Sequence, residues 1–308
     1  MWRSVFLSLS TNSGVKHVAT QSRLAKGISS RFVAGDTLDE AVAATKELNR
    51  RGIKVEMDYL GESVTDRRQA ETAAAAYLEM LDGIAASGAD SQVSLKPTQM
   101  GLAIGEELCY ANINRIVERG DRYGNFVWVD IEDFPTVDAT LGIYRELRSQ
   151  HSNVGIALQS YLYRTRKDLQ EILALGGTVR LVKGAYQEPP EVAFPDKRDV
   201  DRAFRLLTEQ LLCSNRFHAI GTHDEKMIQH AIEFAAAHGI PKESFEFQML
   251  YGVRRDLQEQ LTRDGYLLRL YVPYGEQWYP YFMRRLAERP ANLLFLIGNV
   301  AREALPVH

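Results

Sequence analysis

The sequence predicts an α/β protein built as a (β/α)8 barrel. Three observations predict it: short apolar or β-branched runs alternate with longer segments of helical periodicity, there are eight such runs, and no low-complexity stretch or Gly/Ser linker interrupts them. A doubly wound open sheet makes the same local pattern, and only the strand count separates the two. The 308 residues are 45% hydrophobic and 25% charged, the balance of a soluble chain that buries one sizeable core. Residues 1–308 are read as a single domain, with 1–50 a helical segment ahead of the barrel.

The expected strands, in order, are Lys54–Asp58, Gln92–Lys96, Phe126–Ile131, Val154–Leu158, Thr178–Lys183, Phe217–Thr222, Phe245–Met249 and Leu267–Val272. A helix over Leu38–Asn49 precedes the first. Between the strands the periodicity predicts helices at Glu62–Ala86, Gly105–Arg119, Thr136–Ser149, Thr165–Leu175, Lys197–Leu212, Glu225–His238 and Arg254–Arg263. Thr37 with Glu40, and Ser63 with Asp66, have the spacing of a capping box, while Gly120 and Gly239 stand where helices would stop.

A net charge of -3 provides no basic field for nucleic acid, which is therefore not expected as a partner. Cys109 and Cys213 are far apart, which argues against a disulfide framework or thiolate metal site and fits a reducing compartment. No apolar run reaches the length of a transmembrane segment. Met1–Ser10 is too short and polar for a signal peptide and reads at most as a short amphipathic helix.

Active sites of barrels lie on the loops after the C-terminal ends of the strands. The sequence places Gly61-Glu62, Lys96-Pro-Thr-Gln, Asp130-Ile-Glu-Asp, Gln159-Ser-Tyr, Lys183-Gly-Ala-Tyr186, Thr222-His223-Asp and Tyr271 there, with Arg180, Glu246 and Gln248 inside strands. Singly, each has a structural explanation: Lys96 as a snorkelling strand end, Asp130 as a helix cap, His223 as a satisfied helix-start histidine. Together they point to a functional site. No HExxH spacing, G-x-S-x-G elbow or Walker loop is present. Gly184-Ala185 allows close backbone approach and Thr222-His223 suits phosphate at a helix start, so a phosphate-bearing cofactor fits. Lys96 or Lys183 could instead form a Schiff base. Near the C-terminus, Arg284 and Arg285 follow Tyr281 by one helical turn. Their permanently charged, planar donor forks suit a carboxylate, although a solvated charge pair has the same spacing.

The string Val179-Arg-Leu-Val-Lys-Gly-Ala-Tyr186, with Thr222-His223 and the closing Tyr-x-x-Arg-Arg-x-x-x-Glu, resembles the proline dehydrogenases. The likeness covers almost the whole chain, including Arg31-Phe-Val-Ala-Gly, Leu60-Gly-Glu62, Leu95-Lys-Pro-Thr98 and Phe245-Glu-Phe-Gln-Met-Leu250. The length resembles the monofunctional bacterial form, with no room for the aldehyde dehydrogenase module of the bifunctional enzymes.

The resemblance implies an FAD-dependent barrel that oxidises L-proline to Δ1-pyrroline-5-carboxylate by hydride transfer to flavin N5, with a final helix over the barrel mouth. It implies that Arg284, Arg285 and Lys96 hold the proline carboxylate, that Tyr281 and Leu250 pack on the ring, and that Glu62 pairs with Arg284 as a gate. Arg180 would reach the N5 region. Asp130 would accept the Tyr271 hydroxyl proton and fix that ring against the substrate. Ile131, Gln159, Lys183, Gly184, Ala185, Thr222 and His223 would contact FAD. Tyr271, where relatives that prefer hydroxyproline carry a smaller residue, favours plain proline. A membrane quinone is the implied electron acceptor, and a cytoplasmic protein, peripheral at the inner face of the membrane, the implied location. The rival readings are a Schiff-base lyase on the same barrel and a non-catalytic amino-acid-binding barrel.

Overall fold

The structure, a computed structural model, describes residues 30–288, the side chains of 284–288 excepted. The Met1–Ser10 segment lies outside the described residues. Helix α1 (Leu38–Arg50) opens on a complete capping box: Glu40 N–H donates to Thr37 Oγ1 at 3.3 Å, and Thr37 N–H donates back to Glu40 Oε2 at 3.0 Å.

There follow β1 (Lys54–Tyr59), α2 (Arg67–Ser87), β2 (Ser91–Leu95), α3 (Glu106–Arg122), β3 (Val127–Val129), α4 (Val137–Gln150), β4 (Val154–Gln159) and α5 (Thr165–Ala174). The second half runs β5 (Thr178–Val182), α6 (Lys197–Leu212), β6 (His218–Gly221), α7 (Glu225–Ala237), β7 (Phe245–Leu250), α8 (Arg255–Arg263), β8 (Leu268–Tyr274) and α9 (Trp278–Glu288). The eight strands pair in parallel, each with its sequence neighbour, and β1 pairs β8 to close the barrel. Closure removes the open-sheet alternative.

Two helix signals differ from expectation. Helix α2 begins at Arg67, not Glu62, because its cap is Asp66, whose carboxylate accepts from Gln69 N–H at 3.2 Å. Ser63 instead adopts φ 55°, and its N–H donates to Thr98 Oγ1 at 3.2 Å, tying the β1 loop to the β2 loop. Gly120 does not stop α3, which runs to Arg122. A Cβ there would lie 3.2 Å from Val127 Cγ2, so the absent side chain serves close helix-to-strand packing rather than termination.

Side chains alternate along each strand. One face carries Val55, Met57, Val93, Leu95, Ile156, Leu158, Val179, Leu181, Phe247 and Leu270, all buried in the core with residues of the surrounding helices. The other face points into the barrel and is polar. The segment before α1 crosses the C-terminal end of the barrel: Ala34 N–H donates to Pro273 O, Gly275 N–H to Gly35 O, and the Phe32 and Phe282 rings lie 6.2 Å apart. It passes so near Gly252 (φ 74°) that a Cβ there would collide with the Arg31 carbonyl.

Candidate active site

The inward residues are brought together by register. Glu56 pairs with Gln92 and Tyr271, Ser94 with Trp128, Ala157 with Arg180, Gln248 with Arg269, and Leu250 with Tyr271. The barrel interior therefore holds a connected set of charges instead of the layers of branched apolar residues usual for this fold.

Arg180 on β5 lies at its centre. Its NH1 donates to Glu56 Oε1 at 2.6 Å and to Gln248 Oε1 at 3.2 Å, and its NH2 donates to Ser94 Oγ at 2.9 Å and to Asp130 Oδ1. The guanidinium lies 5.2 Å from the Trp128 ring centre and 5.9 Å from that of Tyr271. Burial alone would weaken its charge, but Glu56 and Asp130 outweigh that and hold it protonated.

One layer nearer the mouth, Lys96 Nζ donates to Asp58 Oδ1 at 3.0 Å and to the Tyr271 hydroxyl at 2.8 Å, with Asp130 Oδ2 at 3.6 Å. The Tyr271 hydroxyl donates to Asp130 Oδ2 at 3.3 Å. Burial opposes the Lys96 charge, yet Asp58 and Asp130 raise its pKa above the ordinary lysine value. An ammonium held in this way is a poor Schiff-base nucleophile. Burial, with Asp58 and Asp130 adding, pushes the Tyr271 phenol well upward, so it stays a neutral donor. Tyr77 from α2 braces the layer, donating to the Ser94 carbonyl at 2.9 Å and Asp58 Oδ1 at 3.2 Å.

On the far side of the mouth, Gln159 donates to the carbonyls of Ile131 at 3.0 Å and Glu132 at 2.8 Å. Its own Oε1 is buried with no hydrogen-bond partner among the described residues. Gly184 has φ 111°, and a Cβ there would run into the Tyr161 ring. Ala185 beside it is exposed. Lys183 Nζ donates to Asp224 Oδ2 at 2.7 Å and to Asp201, so both carboxylates compete for its charge. Thr222 is buried and its hydroxyl accepts from Asp224 N–H at 3.1 Å, while His223 Nε2 accepts from Leu250 N–H at 2.8 Å.

Tyr281 is buried on α9, Leu250 ends β7 half-buried, and Glu62 is half-buried in the β1 loop. The side chains of Arg284 and Arg285 lie outside the described residues, so the carboxylate clamp and the Glu62 gate are untouched by this geometry.

This ring of inward, hydrogen-bonded charges lies at the C-terminal end of a closed parallel barrel, where active sites of this fold are found. A protein-family model described as proline dehydrogenase matches residues 41–297. Proline dehydrogenase 1 of Bacillus subtilis subsp. natto is 41% identical over 303 residues, covering 98% of this chain and 100% of that protein. The chain belongs to the proline dehydrogenase family. The proline dehydrogenase of Deinococcus radiodurans is 40% identical over 307 residues and 98% of each chain. Proline utilization A (PutA) from Bdellovibrio bacteriovorus, solved after inactivation by N-propargylglycine, has a TM-score of 0.83 at 24% identity, covering 99% of this chain and 38% of that one. That likeness shows the barrel fold alone. Family membership gives no support to the lyase or binding-protein readings.

Within this proline dehydrogenase barrel, sequence reasoning missed Glu56, Asp58 and Ser94. Their signal was present: in Val55-Glu-Met-Asp58 the acids alternate with apolar residues on a strand, which places both on one face. Glu132 lies within the strand-end string Asp130-Ile-Glu-Asp133, and the sequence assigns it no role. It is buried, accepts from Thr98 N–H at 2.9 Å and Thr98 Oγ1 at 2.8 Å, and burial raises its carboxyl to about 7 despite those bonds.

Proposed function

We propose that the chain oxidises L-proline to Δ1-pyrroline-5-carboxylate, with FAD bound as hydride acceptor and a membrane quinone taking the electrons onward. The observation that carries it is the chain Lys96–Tyr271–Asp130–Arg180, which sets a cation and a neutral phenol beside a buried guanidinium. Family membership supports the substrate.

The residues fit a flavin. Gln159 Oε1, which has no hydrogen-bond partner among the described residues, is an acceptor that suits a flavin N–H, and Arg180 is a fixed cationic donor where negative charge would accumulate on the ring. FAD, when bound, supplies the two-electron acceptor that protein side chains lack. Ile131, Gln159, Lys183, Gly184, Ala185, Thr222 and His223 are the residues that would hold it, the last four mainly around its ribityl and phosphate groups.

Lys96, Arg284 and Arg285 bind the substrate carboxylate by charge-assisted hydrogen bonds. Tyr281 and Leu250 cover the pyrrolidine ring, and Glu62 draws Arg284 across to exclude water. Asp130 orients Tyr271, whose ring fills the space a 4-hydroxyl would need. Substrate amine must be neutral before hydride departs, and with Lys96 held protonated the cluster favours binding of proline that has already lost that proton.

Among the described residues no helix is long and apolar enough to cross a membrane. Contact with a quinone therefore calls for peripheral docking at the inner face of the membrane.

Purified protein is expected to be yellow, with flavin absorbance that bleaches when L-proline is added without oxygen and returns on adding a soluble quinone. A colourless preparation that stays inactive after added FAD would sink this reading.

A further inference from the structure

We propose that Glu56, on the barrel floor, is a positioning residue for the reaction: it holds the Arg180 guanidinium opposite Asp130, and its charge sets the positive field Arg180 presents to a bound flavin. This rests on the placement of Arg180 beside the flavin argued above and goes beyond it.

Arg180 is held by four side chains, yet they are unequal. Ser94 and Gln248 are neutral, and Asp130, with 16% of its side chain exposed, is shared with Tyr271 and Lys96. Glu56 is 1% exposed and gives its whole paired oxygen to Arg180 at 2.6 Å, the shortest distance of an ordinary hydrogen bond in the cluster. Its second oxygen is buried with no hydrogen-bond partner among the described residues. Glu246 Oε2 and Asp58 Oδ2 are buried in the same way, so what sets Glu56 apart is its direct and undivided pairing with Arg180.

The groups facing Glu56 are Arg180 on β5, Asp130 after β3, Arg269 on β8 and Glu246 on β7. Arg269 is itself taken up by Glu246, its Nε donating to Oε1 at 2.8 Å. Three carboxylates thus share two guanidiniums. Burial lifts the Glu56 carboxyl from 4.5 to about 7, with Arg180 and Arg269 opposing the rise and Asp130 and Glu246 adding to it. Above that pH Glu56 is an anion and offsets part of the Arg180 charge. Below it Glu56 is neutral and Arg180 acts at fuller strength on anything negative at the mouth.

The test is the flavin midpoint potential of the holoenzyme at pH 6 and pH 9, with kcat, KM for proline and Tm, for wild type and the variants Glu56→Gln, Glu56→Asp, Glu246→Gln and Arg180→Met. At pH 9 Glu56→Gln is expected to shift the oxidised-to-reduced equilibrium toward the reduced form at least tenfold, about 30 mV for a two-electron couple, with KM little changed. At pH 6, where wild-type Glu56 carries its own proton, the gap narrows. Glu246→Gln, at similar depth but paired with Arg269, lowers Tm and leaves the potential in place.

Should Glu56→Gln fail to fold, Glu56→Asp carries the test: the shorter acid keeps the charge but draws Arg180 away, so kcat falls and the potential moves toward the oxidised form. An unshifted kcat in Glu56→Asp, or an unshifted potential in Glu56→Gln beside a shifted one in Arg180→Met, overturns the role of Glu56 and leaves the flavin placement standing. An unshifted potential in Arg180→Met, which removes the cation, overturns both.

Discussion

The two faces of the same eight strands bury opposite chemistry. Outward, Leu95, Ile156, Leu181, Phe247 and Leu270 pack against helices in a dry apolar layer. Inward, Glu56, Asp58, Lys96, Asp130, Arg180 and Arg269 form a charge network that folding alone would not favour, since desolvating ions costs more than burying hydrocarbon of similar volume. The outward face supplies the stability that lets the inward face be arranged for binding and redox chemistry.

The separation can be broken from either side. The largest expected effect is outward: Leu181→Ala should destabilise the barrel by roughly 2–5 kcal/mol through lost burial and a cavity, read as a lower urea midpoint, with KM for proline in the folded fraction unchanged. A raised KM would mean that the faces are not independent.

Inward, Lys96→Met should weaken proline binding by about 2–3 kcal/mol as one charge-assisted contact disappears, measured as KM and as competitive inhibition by a non-reacting carboxylate analogue. Asp58 can neutralise itself by taking a proton, so the loss of Tm should be smaller than in Leu181→Ala.

A third test uses pH. The Glu132 carboxyl is raised to about 7 in the folded protein from 4.5, so the native state holds this proton more tightly than the unfolded chain. Its contribution to stability is present below about 4.5 and is lost as pH rises through about 7, by on the order of 1–3 kcal/mol. Glu132→Gln, which keeps an acceptor for Thr98, should flatten Tm against pH across that window. An unchanged slope would remove Glu132 from the account.

The smallest effect is expected from Tyr271→Phe. It removes the hydroxyl between Lys96 and Asp130 but keeps the ring, so kcat/KM for proline should fall by about 1 kcal/mol, with 4-hydroxyproline still excluded. Gain of activity on 4-hydroxyproline in this variant would show that the hydroxyl, not the ring, sets specificity.

Which strands and helices form was legible because burial imposes a period on the sequence: α6 spans Lys197–Leu212 as its spacing predicts. Local hydrogen-bond competition was less so. Ser63 has the right type and spacing for a cap, but Thr98, distant in sequence, takes its N–H, and Asp66 caps α2 instead. The strand-end polar residues announced a site without saying which of them touch.

The sequence by itself determined the alternation, the strand count and the family likeness, because these follow from side-chain types along one dimension. Only the tertiary structure decided that β1 closes on β8, that Tyr271 and Glu56 share a register, and that Lys96 and Arg180 divide Asp130 between its two oxygens. Those contacts join residues 34 to more than 200 positions apart in sequence, and a charge's strength in a dry interior depends on its partners there, which no local spacing encodes.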